Sequence, residues 1–141
     1  MQFTVLIFLV MSTANLADSL SHPDKVHLIQ PESTNKFKMK FVGEIKEYSY
    51  IKMTIESTED SKTYKSPIIP LKGNYYEAIS SQAFKIIGTY NNESLIWKLD
   101  CFDKNNLLTS VFIGKANHEG VVEGKWTCKK MSYNFYLKPD K

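Results

Sequence analysis

The chain has 141 residues and a formal net charge of +3, which fits one domain and a mildly basic surface. All 18 basic side chains are lysine, so the arginine fork suited to phosphate and guanine is absent, and nucleic acid is not an expected partner. Eight Phe, eight Tyr and two Trp favour pleated strands over disorder.

Residues 1–17 open with the uncharged apolar run Phe3–Met11, followed by the small residues Ser12, Thr13, Ala14 and Ala17. The run is too short to span a bilayer, and its flanks predict a secretory signal peptide cleaved after Ala14 or Ala17. The product is then expected to be secreted or periplasmic. Residues 18–35 are polar, contain two prolines and read as an N-terminal arm, in which Val26, Leu28 and Ile29 could add an edge strand or cover an outer apolar face. The folded domain is expected over 36–141.

From Lys36 the apolar residues recur with period two, the signature of half-buried strands. KFKMKFVGEI (36–45) puts Phe37, Met39, Phe41, Gly43 and Ile45 on one face and lysines opposite. YSYIKMTIE (48–56) turns Ile51, Met53 and Ile55 inward, with Tyr48 and Tyr50 out of phase, which predicts a bulge or a late strand start. STEDSKTYKSPIIP (57–70) is charged, lacks strand pattern and reads as the loop best suited to carry function. LKGNYYEAI (71–79) and AFKIIGTY (83–90) are the third and fourth strands. In the third, Glu77 shares the phase of Tyr75 and would then be the one acid facing the lumen; turning Tyr76 and Ala78 inward instead leaves Glu77 in water, the preferred phase because a buried unpaired carboxylate is costly. SLIWKLDCF (94–102), LLTSVFIGKA (107–116), VVEGKWTCKK (121–130) and YNFYLK (133–138) complete the set, separated by the turn-rich NNES, DKNN and NHEG.

Eight strands joined mostly by short turns imply antiparallel neighbours in a meander. The expected fold is all-β, an eight-stranded antiparallel up-and-down barrel, with a two-sheet β-sandwich as the alternative. Gly43, Gly88, Gly114 and Gly124 lie mid-strand on the inward face, where a missing side chain lets a strand coil and close. Gly-x-aromatic recurs at 73–75, 88–90 and 124–126, the small-large alternation that fills a narrow lumen.

These segments, I-G-T-Y, L-I-W-K-L-D, V-F-I-G, V-E-G-K-W and F-Y-L, resemble small secreted β-barrel proteins, many of them bacterial and uncharacterised. The resemblance spans about residues 37–138 and implies a binding module. The architecture is also similar to avidins and lipocalins, which hold small ligands in the lumen. The first strand carries FVGEI with no Trp, and Gly-x-Trp occurs in strand seven, so neither a biotin site nor a lipocalin ligand carries over.

Cys101 and Cys128 both face inward by phase, each near an inward Trp. Export invites a disulfide between them, but an intervening strand puts their α-carbons about 10 Å apart, so two buried thiols are the alternative. His22, His27 and His118 lie in the arm and a turn, without metal-ligand spacing. No nucleophile, zinc-protease or phosphate-loop motif is present, so no catalytic residue, metal or cofactor is assigned. Asn92-Glu93-Ser94 is a glycosylation sequon in a turn, relevant in a eukaryote.

Phe102, Tyr136, Ile87, Ile96, Val111, Ile113 and Val121 fall on the outer phase and would form a partner or homodimer surface if contiguous. The expected function is therefore non-enzymatic: a secreted binding or interaction protein, an inhibitor for example, acting through rim loops or this outer face on a protein partner. The alternative is a carrier of a small apolar ligand inside the barrel, lined by Trp97, Trp126, Tyr90 and Tyr75.

Overall fold

The computed structural model describes residues 36–60 and 65–141. The expected signal peptide and arm, and residues 61–64 of the expected functional loop, lie outside the described residues. Eight strands follow in order: β1 (Lys38–Ile45), β2 (Ser49–Ser57), β3 (Ile68–Glu77), β4 (Gln82–Asn91), β5 (Ile96–Phe102), β6 (Leu108–Ala116), β7 (Val122–Cys128) and β8 (Met131–Pro139). Each pairs antiparallel with the next, and β8 returns to β1 from Phe41↔Pro139 to Ile45↔Phe135. The sheet is thus a closed up-and-down barrel with no free edge, which decides against the sandwich.

Alternation explains the interior. Every strand sends at least one buried apolar side chain inward, including Phe41, Met53, Leu71, Ile86, Leu99, Phe112, Trp126 and Phe135. Phe112 sits edge-on to both Tyr75 and Phe135, with ring centroids 5.3 and 5.0 Å apart, so the middle of the tube is packed with its own aromatics. Outward, every strand exposes a lysine: Lys40, Lys52, Lys72, Lys85, Lys98, Lys115, Lys125 and Lys138 lie on β1 to β8 in turn.

The four inward glycines occupy the expected face, and Gly73 of β3 joins them. Gly114 and Gly124 stand directly opposite each other on β6 and β7. A β-carbon on Gly124 would collide with the Ile113 carbonyl oxygen and approach the Gly114 α-carbon to 2.5 Å. Glycine is needed there because two backbones converge where the ribbon coils.

Two details differ from the sequence reading, and one alternative it leaves open is decided. β3 begins at Ile68, inside the segment read as loop. Pro70 is tolerated because the β2–β3 ladder ends at Ser57↔Leu71, one residue short of it, and its carbonyl accepts the Thr58 N–H at 3.0 Å. No bulge forms at Tyr48; the strand starts late, at Ser49, and the register shift falls instead at Cys101/Phe102 between β5 and β6. In β3 the phase is opposite to the preferred one: Leu71, Gly73, Tyr75 and Glu77 face inward and Tyr76 is exposed.

Turns 46–48, 78–81, 103–107 and 129–130 gather at one end, here the mouth end. Residues 58–60 and 65–67, turns 92–95 and 117–121, the start of β1 and the end of β8 gather at the other, the far end.

Candidate functional site

The mouth end holds a cleft of about 440 Å³. Its wall comes from inward residues near the strand ends: Tyr75 and Glu77 of β3, Phe84 of β4, Ser110 of β6, Trp126 and Cys128 of β7. Tyr48 of the first turn, Leu107 of the fifth, and Leu108 and Thr109 at the start of β6 complete it, with Asp103 and Lys129 at the rim. Tyr48 is half-buried and stacks on Trp126 with centroids 4.9 Å apart and on Tyr133 at 5.8 Å. Tyr75 stacks on Phe84 at 4.9 Å. The entrance is apolar, since Ile79, Leu107, Leu108 and Met131 are all exposed on the turns and strand ends there.

Four polar groups lie in the cleft under this aromatic lining. Glu77 is 3% exposed and accepts a hydrogen bond from Ser80 Oγ at 2.6 Å. The Tyr75 hydroxyl and Ser110 Oγ share a hydrogen bond at 3.3 Å. Trp126 Nε1 is buried and has no hydrogen-bond partner, although the indole lies near enough to the Tyr75 hydroxyl to oppose the rise in its pKa. Burial pushes the Tyr75 phenol far up, and the charges of Cys101 and Glu77 push it further. Burial also raises Tyr48, with the Glu77 charge next in weight.

The four ring residues expected to line one lumen divide between the two ends. Trp126 and Tyr75 line the mouth. Trp97 and Tyr90 pack against each other near the far end, centroids 4.7 Å apart and planes tilted by 33°, with Phe41 edge-on to Trp97 at 5.8 Å. Trp97 Nε1 is also buried without a partner. The packed belt around Phe112 separates the two groups.

The expected Cys101–Cys128 disulfide is corrected: both cysteines are free thiols. Cys101 pairs across to Ser110 of β6, and Cys128 lies one residue beyond the Val111↔Thr127 pair on the far side of that strand. Two inter-strand spacings, roughly 10 Å, separate them, too far for a bridge. Cys101 is fully buried, and burial lifts its pKa to about 12, so it is no nucleophile near neutral pH.

Asn92 is exposed in the 92–95 turn at the far end, where a glycan would leave the mouth open. Charge interrupts the expected outer apolar face: Asp100 stands opposite both Ile87 and Val111, and Lys98 stands opposite Ile113. A shallower outer groove of about 220 Å³ runs over Val42, Tyr50 and Tyr76.

Sequence reasoning missed Tyr48 and Phe84 as site residues and carried an inward Glu77 only as the less favoured phase of β3. The available signal was Gly73-Asn74-Tyr75, whose small-large alternation fixes the β3 phase and carries Glu77 inward. The fold and cleft together define a closed meander barrel with one chemically furnished end. No protein-family model matches the chain, and no curated protein or solved structure matches it either.

Proposed function

We propose that this protein is a non-enzymatic binding protein that takes a small, largely apolar molecule into the mouth of the barrel. The observation that carries the reading is the mouth cleft: aromatic walls around a buried carboxylate and an unsatisfied indole N–H, in a barrel whose middle is otherwise filled. Ligand sites are typically apolar concavities with a few converging polar groups. A self-packed belt leaves no such concavity at mid-barrel, which moves the expected carrier site from the lumen to its rim. The Cys101 thiol, held protonated, supplies no catalyst, and the leader read in residues 1–17 would place the binding outside the cytoplasm.

Trp126 reports on the site directly. In a Trp97→Phe variant it is the remaining tryptophan, and titration with 2-phenylethanol should shift its emission saturably. The same titration in Trp97→Phe/Leu108→Arg, which places a charged chain across the exposed rim, should give little or no shift. Equal shifts in both proteins, or none with neutral, cationic or anionic phenyl probes, would overturn the reading. Capture of a protein by the apolar rim in place of a small molecule would favour the partner-binding alternative.

A further inference from the structure

We propose that the mouth selects a small organic cation, an amine carried on an aromatic or aliphatic body, with Glu77 as its counter-ion. This rests on the binding function proposed above and specifies the charge of the ligand. Glu77 is 3% exposed, yet among the described residues no lysine or histidine lies within ion-pair distance of it. Its hydrogen bond comes from the neutral hydroxyl of Ser80. A carboxylate taken from water without a compensating charge is strongly unfavourable, and a ligand ammonium brought to it removes that penalty.

The surroundings favour the same sign. Tyr48, Phe84 and Trp126 present ring surface in the cleft, and the negative faces of aromatic rings attract a desolvated cation. The rim charges do not reverse this preference. Asp103 Oδ1 accepts the backbone N–H groups of Asn105 and Leu107 at 2.8 and 3.0 Å, which commits that oxygen to its own turn. Lys129, on the 129–130 turn, is exposed and remains hydrated, whereas Glu77 lies below it at the buried wall. A carboxylate ligand would meet Glu77 head-on. An amine meets an acceptor there and leaves its hydrocarbon against the rings and the Leu107–Leu108 wall.

Three probes with one phenyl body separate the possibilities: 2-phenylethylamine, 2-phenylethanol and 3-phenylpropionate, titrated at neutral pH into the full chain carrying Trp97→Phe and read by Trp126 emission. The amine should bind at least tenfold tighter than the alcohol, and the acid weakest. Glu77→Gln keeps an oxygen for Ser80 and should bring the amine down to about the level of the alcohol, so that the amine-to-alcohol preference falls at least tenfold. An amine no better than the alcohol overturns the proposal. So does an acid that binds best and is lost in Lys129→Ala, or a Glu77→Gln change that weakens all three probes alike. If Glu77→Gln does not fold, the ranking of the probes on the parent protein decides by itself. Absence of binding by all three refutes the mouth as a ligand site at all, a distinct result.

Discussion

At Gly124 one hydrogen atom decides whether β6 and β7 can meet. The atoms that a β-carbon would strike belong to the backbone of Ile113 and Gly114, so relief requires the strands to part. Gly124→Ala should cost about 3 kcal/mol, the upper end of ordinary overpacking, read as a fall in the urea midpoint. Glu77 teaches the converse lesson. Its burial was set aside on energetic grounds, because a lone carboxylate is a poor core residue. The argument holds for a sealed core and fails at a barrel mouth, where the side chain lines a cleft and a neighbouring turn supplies a hydroxyl. Sequence spacing shows phase, but it does not show that a strand position lies at a rim. Residues of the site are therefore harder to read than residues of the core.

Among the elements, the turns show a regularity that alternation cannot reveal. Each short connection holds one residue in the left-handed region: Glu47, Ser81, Leu95, Asn106, Gly120 and Lys129. Gly120 is the single glycine of the six, and the others carry side chains in a conformation that disfavors them. Glu47→Gly, at an exposed position with φ of 65°, should therefore stabilise the protein by roughly 0.5–1 kcal/mol, measured as a higher unfolding midpoint. The strands themselves were legible. The eight segments, their antiparallel order and the inward faces of β1, β2, β4, β5, β6 and β7 follow from period two and short turns. β3 was less so, since Tyr75 and Tyr76 offer a ring to either phase and Pro70 discourages a strand start. The shift at Cys101/Phe102 leaves no mark in composition, because it depends on how two strands meet.

The whole molecule should be alkali-labile. Cys101 moves from an ordinary value near 9.0 to about 12 on folding, and Tyr75 rises from 10.0, both chiefly through burial. Below about pH 9 both groups are protonated in folded and unfolded chains alike, and their contribution is fully present. Above about pH 9 for Cys101, and above about pH 10 for Tyr75, the unfolded chain gives up protons that the folded chain keeps, so stability falls by about 1.4 kcal/mol per pH unit for each group in its own range. Urea melts between pH 8 and 11 should show this decline, and Cys101→Ala should make it shallower from about pH 9. The two ends of the tube have different uses. The chain enters β1 and leaves β8 beside it, with Asp140 bonded to the Lys40 carbonyl, on the side remote from the cleft. Anything fused behind Lys141, whether a resin tag, a reporter or a second domain, will hold the barrel by the end opposite the cleft and leave the cleft facing the solution.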